Sequence, residues 1–200
     1  MSDISPTRSA VLELQDERRA MHEGYVFLDE KCLLLAGEIL RQLQTHDRLQ
    51  RRLQVLHEDA AAALAAAVAR HGLHGLQVYP ATDLSRASVP IRARSLMGVR
   101  LQEAALDGGD AQAEDAVNRS PEAEACRLAY AAVLAAAAEA AAVTGNLERL
   151  SLEYRRSVRR ARALQDVMLP ELDQTIADID GRLEEAERED AIWMRQGALR

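Results

Sequence analysis

Apolar residues recur at three- and four-residue steps from Val11 through Leu14, Met21, Tyr25, Leu28, Cys32, Leu35 and Ile39, and again through Leu49, Leu53, Leu56, Ala60 and Ala63. Arg18, Gln42 and His46 fill the remaining slots. One register held over about seven heptads predicts a long helix with a coiled-coil seam, because a period near 3.5 keeps one face turned to a partner helix. Ser5 then Pro6 mark its start, Ser as the cap and Pro where a helix needs no amide donor. Gly72 and Gly75 mark its end.

Ser120-Pro121-Glu122 repeats the start signal, with an acidic residue where the helix dipole favours one. The stripe behind it runs Leu128, Val133, Leu134, Leu147, Leu150, Tyr154, Val158, Ala161, Leu164, Met168, Leu172, Ile176, Ile179, Leu183 and Ala186, ending near Gly197. Steps of 3-4-4 around Tyr154 and Met168 relax the left-handed supercoil locally. Pro170 removes one backbone bond and predicts a bend in a helix that continues across it.

The stretch between the stripes changes character. Leu76 to Tyr79, Ser88 to Ala93 and Met97 to Leu101 alternate briefly between Gly and Pro punctuation, which predicts a small hairpin, and Asp107 to Asn118 is acidic, small and expected to be mobile. The expected organisation is an N-terminal helix over 1–72, a connector over 73–119 and a C-terminal helix over 120–200. Each helix would be roughly 90 to 110 Å long and could not stand alone with its seam exposed. The fold class is therefore all-α: a long antiparallel two-helix coiled coil with a small irregular or β-hairpin connector at one end. Facing positions should sum to about 197, which sets Cys32 opposite about residue 165, away from Cys126, and excludes a disulfide between them.

Composition sharpens this picture. Hydrophobic residues make up 48% of the 200-residue chain but aromatics only 3%, so the core must be Ala, Leu and Val, all compatible with long helices. A net charge of −7 argues against nucleic acid and for protein partners. Met1 to Pro6 lacks the features of an export signal, so a cytoplasmic location is expected. Ala60 to Ala69 and Ala129 to Val143 fall short of the ~20 residues of a membrane span, so no direct membrane insertion is expected. Dense alanine there reads either as a thin neck of closely approaching helices or as plain helix propensity.

Candidate chemistry is sparse. His71 and His74 lack a third ligand and read as a helix-end pair, so no metal is assigned. No phosphate-cradling loop, nucleophile elbow or dinucleotide glycine run occurs, so neither a catalytic residue nor a cofactor is expected. Trp193 is expected to pack between the helix ends. In the assumed register Arg41, Arg48, Arg51 and Arg52 lie level with Arg149, Arg155, Arg156, Arg159, Arg160 and Arg162, forming a basic girdle that either docks a partner or is a solvated face. Asp166 to Asp190 is acidic, which reads as a solubilising face or as a non-adhesive bearing surface.

Three stretches resemble the D-subunit family of V-type and A-type ATPases: Ser5-Pro6-Thr7-Arg8; Leu96-Met97-Gly98-Val99; and Arg159 to Leu164 with Val167 to Pro170, followed by Leu183 to Glu189. Their order and the two-helix frame cover almost the whole chain. Ala163 and Ser95 stand where the family usually has Asn. The resemblance implies a non-catalytic central-stalk rotor component, carrying torque between the catalytic hexamer and the membrane ring, cytoplasmic and peripheral to the inner membrane. It implies that Ser5, Pro6, Thr7, Arg8, Glu184, Arg188 and Arg195 touch the nucleotide-binding A and B subunits. Arg48, Arg52, Arg156 and Arg160 would meet the F subunit of the central stalk or acidic loops, and Ile91, Met97 and Gly98 the ring-capping C/d subunit. A free-standing coiled-coil scaffold or adaptor is the alternative; it should carry an amphipathic basic helix for lipid, and none is visible. The connector is too short for the α/β domain of an F-type gamma shaft.

Overall fold

The computed structural model describes residues 6–79, 84, 87–108 and 119–197. Helix α1 spans Arg8–Leu76, strands β1 and β2 span Ile91–Leu96 and Val99–Ala104, helix α2 spans Pro121–Ala163, and α3 spans Leu169–Gly197. Five residues in π-helical geometry, Leu164–Met168, join α2 to α3. The chain divides into two units, one of Met1–Leu34 with Tyr154–Arg200 and one of Leu35–Glu153. In each, a stretch of α1 lies antiparallel to a stretch of the later helices, as cross-helix pairs show: Arg18 with Asp173 in the first, Arg52 with Glu139 and Arg70 with Glu122 in the second.

Thr7, not Ser5, caps α1: its hydroxyl accepts from the Ala10 amide at 3.2 Å, which moves the start two residues along and leaves Pro6 outside the helix. Ser5 itself lies outside the described residues. The α1 seam follows the predicted stripe, with Val11, Leu35, Leu49, Ala60 and Ala67 buried and Leu14, Met21, Tyr25, Leu28, Cys32, Ile39, Leu53, Leu56 and Ala63 half-buried. Gly72 leaves helical geometry at φ 67°, and one further turn carries the chain to Leu76.

At the start of α2, the buried Ser120 hydroxyl accepts from the Ala123 amide at 3.3 Å and bonds His71 Nε2 at 2.7 Å. Arg70 reaches Glu122 at 2.7 Å beside it. The cross-helix pairs mark which residues face one another. A register summing to 197 would put Arg52 opposite residue 145 and Arg18 opposite 179, whereas their partners are Glu139 and Asp173.

The α2 stripe also differs from the reading of its large residues. Counting back from buried Leu150 in helical steps leads through Asn146, Val133 and Ala136, and leaves Leu128 and Leu134 exposed. The helix Pro121–Gln196 is, by length and composition alone, apolar enough to cross a membrane, contrary to expectation. Its apolar stretch is chiefly alanine, and Ala136 within it is buried while Arg52 reaches Glu139 beside it. Both cysteines are free.

Just before Pro170, where a bend is expected from the sequence, the helix makes a π turn. Leu169 donates its amide to the Leu164 carbonyl, one residue further back than in an α-helix. Widening the turn there gives room for the pyrrolidine ring, which would otherwise press on the preceding turn. The inserted residue also moves the seam: Leu169 is half-buried, and Met168 is 39% exposed. Beyond it Leu172, Ile176, Ile179 and Leu183 face inward, while Ala186 is exposed.

The connector forms a two-stranded antiparallel hairpin, Ile91 opposite Ala104 through Leu96 opposite Val99. Its strands lie later than the predicted segments, since Met97 and Gly98 form the turn, both with positive φ (47° and 83°), the geometry whose twist suits a two-residue hairpin loop. Ser88 and Asp107 extend the pairing by one bridge, with mutual backbone bonds of 2.9 Å. Leu76 to Tyr79 is helix end and turn, not strand, and most of the expected acidic mobile segment, 109–118, lies outside the described residues.

Gly98→Ala should destabilise the hairpin by about 1–2 kcal/mol, the cost of a left-handed conformation for a residue with a Cβ. Amide exchange across Ile91–Ala104 should accelerate while helix amides near Ala60 hold. Unchanged exchange would mean the turn tolerates a side chain.

Candidate functional site

The hairpin does not stay by the His71–Ser120 clasp. It folds back along the helices and docks where α1 presents Leu35 to Gln42 and α2 presents Asn146 to Leu150, roughly 50 Å of helical rise from the clasp. Val99 and Leu101 of β2 are buried against Leu35 and Leu150, with Ile39, Leu96 and Met97 packed around them. Among the described residues these four form the cluster of buried apolar side chains. Each buried leucine contributes about 2 kcal/mol.

Polar anchors flank this core on both helices. On α1, Glu38 is 1% exposed. Its carboxylate accepts from Arg94 of β1 at 2.5 Å and from Gln42 at 2.9 Å, and its second oxygen faces the Arg41 guanidinium. Burial raises the Glu38 pKa, but the bonds from Gln42 and Arg94 and the charges of Arg94 and Arg41 outweigh it, so the carboxyl lies below its ordinary value of 4.5. On α2, buried Asn146 grips the β2 backbone as a neighbouring strand would: its Oδ1 accepts from the Gln102 amide and its Nδ2 donates to the Gln102 carbonyl, both at 2.7 Å. Arg149 donates to Asn146 Oδ1 at 2.8 Å and to Gln102 Oε1 at 3.1 Å. The guanidinium lies beside Gly145, where a Cβ would stand 3.4 Å from its nitrogens, in ordinary contact.

At the helix ends, Arg8 bonds Glu187 at 2.6 Å. Arg8, Val11, Leu12, Asp180, Leu183, Glu184 and Glu187 line a shallow groove of about 380 Å³ there. Arg188 bonds Glu184 one turn back at 2.8 Å, and Arg195 is exposed. The predicted end residues Thr7, Arg8, Glu184 and Arg188 are thus grouped in one unit. Trp193 does not pack between the helix ends: it is 74% exposed, and with Ile192 and Met194 gives the end of α3 an apolar surface.

Arg48 and Arg52 belong to the unit containing the hairpin and Arg156 and Arg160 to the other, and Arg52 is directed to Glu139 at 3.8 Å. Within the hairpin's unit α2 residues near Glu139 stand level with Arg52. Ile91 is exposed on β1, whereas Met97 is half-buried against the core and Gly98 serves the turn. His71 bonds Ser120 and meets Tyr79 in a tilted ring contact with centroids 5.1 Å apart. Among the described residues no three His, Cys, Asp or Glu side chains are grouped to hold a metal ion.

Sequence reasoning missed Glu38 and Asn146, and read Arg149 as part of the basic girdle, not as a hairpin anchor. The signal for Asn146 was a polar residue after Gly145 in an alanine-rich helix, at a position on the inward stripe. Glu38 stood one residue beside Ile39, close enough to share the seam face, but nothing local pairs it with Arg94.

The chain matches the family model for the D subunit of ATP synthase over residues 10–195. It is 24% identical to the D subunit of the V-type ATP synthase of Thermotoga neapolitana, covering 96% of both chains. It is 25% identical to the D subunit of the A-type ATP synthase of Methanopyrus kandleri, covering 98% of this chain and 86% of that one. With the corresponding A-type D subunit of Pyrococcus abyssi it shares 28% identity, over 96% and 92% respectively.

Because the Glu38 pKa is lower in the folded chain, its ionised form contributes stability that is complete above about pH 4.5 and lost as pH falls through the lower folded value. Glu38→Gln should cost about 1–3 kcal/mol at pH 7 and flatten the acid limb. Urea unfolding from pH 3 to 7 checks this, and parallel limbs for the two proteins would refute it. Asn146→Ala should cost about 2–3 kcal/mol at every pH in that range, by stranding the Gln102 backbone groups.

Proposed function

The chain belongs to the ATP synthase D-subunit family, and from that premise we propose that it is the central-stalk rotor component of a V/A-type rotary ATPase, transmitting torque between the nucleotide-binding hexamer and the membrane ion-translocating ring. It is a non-catalytic component of such a complex. The observation that carries the reading is the family match over residues 10–195 on a chain whose helices cover each other's seams in antiparallel pairs. A torque-bearing element must resist bending and twisting while its neighbours change shape, and two helices sharing a seam do so better than one. The location that goes with this role is the cytoplasmic side of the inner membrane, as part of the complex.

The partner assignments follow the same reading. The helix ends, from Thr7 and Arg8 to Glu184, Arg188 and Arg195, are the surface offered to the A and B subunits, and the exposed Ile192, Trp193 and Met194 add apolar contact. Exposed ion pairs there hold little energy, so they can be exchanged as a neighbouring surface passes. Arg48 and Arg52 in one unit, and Arg156 and Arg160 in the other, are proposed as separate contacts for the F subunit or for acidic loops. The connector is the side turned toward the ring-capping C/d subunit, with Ile91 available there because Met97 is already packed inside.

Co-expression with the A, B and F subunits tests the assignment: the chain should co-purify with all three and restore ATP-driven rotation to a preparation lacking it. Recovery as a free protein under those conditions would overturn the reading. Trp193→Ala should leave the helix content intact and weaken association with the A and B subunits by about tenfold, in line with an exposed aromatic anchor; a binding titration reads this. Arg156→Glu with Arg160→Glu should reduce binding of the F subunit, and an unchanged affinity would remove these residues from the contact.

A further inference from the structure

We propose that the docked hairpin is the register lock of the helix pair, fixing how far α1 can slide along α2. The need for a lock arises in the alanine-rich part of the seam. Ala60, Ala63 and Ala67 line α1 there, and Ala129 to Ala142 supply most of α2. Methyl groups make shallow knobs, and a one-turn shift of α2 brings Ala132 or Ala140 to the place of the buried Ala136. Such a seam holds two helices together without strongly specifying which residues face each other.

The hairpin supplies what the seam lacks. Glu38 of α1 is held through Arg94, and Asn146 of α2 through the backbone of Gln102. These anchors sit on neighbouring rungs of the ladder, Arg94 opposite Leu101 and Gln102 opposite Ala93. The ladder has a fixed rung spacing, so the positions of Glu38 and Asn146 along the pair are tied together. A slip of one turn, about 5.4 Å, breaks one anchor at least and leaves either a buried carboxylate or the Gln102 backbone without its partner. Directional polar contacts in an apolar seam are the established physical means of selecting one register. The lock concerns the chain itself and stands or falls independently of its role in a rotary complex.

Cysteine pairs read the register directly in the full chain, with Cys32 and Cys126 replaced by Ser. Arg52→Cys with Glu139→Cys reports the observed alignment, as those side chains face each other. Arg52→Cys with Ala135→Cys, or with Val143→Cys, reports a slip of one turn in either direction. With the native hairpin, a short dithiol crosslinker should join the first pair alone. Adding Glu38→Gln and Asn146→Ala should raise the yield of at least one slipped pair by tenfold or more, on the order expected when a charged and a bidentate hydrogen-bonded anchor are lost. Crosslinking that stays confined to Arg52 and Glu139 would show that the seam alone sets the register and would overturn the proposal. If the double variant loses its helical circular dichroism, each single variant is read instead. A threefold rise of a slipped product in either upholds the lock, and no rise in both rejects it.

Discussion

Two helices without a third layer have one way to leave water: each must cover the other's seam along its whole length. The rest of this structure follows from that constraint. It explains why heptad spacing persists through polar slots such as Gln42 and His46, which stay half-buried beside apolar neighbours. It also explains why a proline in the second helix is absorbed by a wider turn. A break in the helix would uncover seam on both sides of Pro170, whereas one inserted residue only shifts the inward position from Met168 to Leu169.

The hairpin relieves the constraint at one place and creates obligations there. Around Leu35 and Leu150 the pair acquires a third layer, and with it the one cluster of fully buried large side chains among the described residues. Once covered, Glu38 and Asn146 can no longer be solvated, so each must find a partner inside, and the hairpin provides one through Arg94 and the other through the Gln102 backbone. Burial and satisfaction arrive together, which makes the dock specific as well as stable.

Charges elsewhere play a different part. The cross-helix pairs at Arg8, Arg18 and Arg70 are largely exposed and individually weak, and they outline the alignment more than they enforce it. The apolar surface at the end of α3 is the contrasting case: Ile192, Trp193 and Met194 are large, adjacent and uncovered in the isolated chain.

Read alone, the sequence determined the class of the fold, both helices, the seam of α1, the Ser120 start signal and the presence of a hairpin, because each depends on local periodicity or on the steric habits of Ser, Pro and Gly. The ordered signature segments made the family legible as well. Tertiary structure decided what local pattern cannot encode. Facing partners depend on contacts between residues far apart in the chain, so a register assumed from helix lengths set Arg52 opposite residue 145, whereas its partner is Glu139. Leu128 and Leu134 are exposed although they are larger than the buried Ala136, because phase relative to the partner, not size, selects the inward positions. The dock joins residues more than forty positions apart, and only the folded chain brings Glu38 to Arg94 and Asn146 to Gln102.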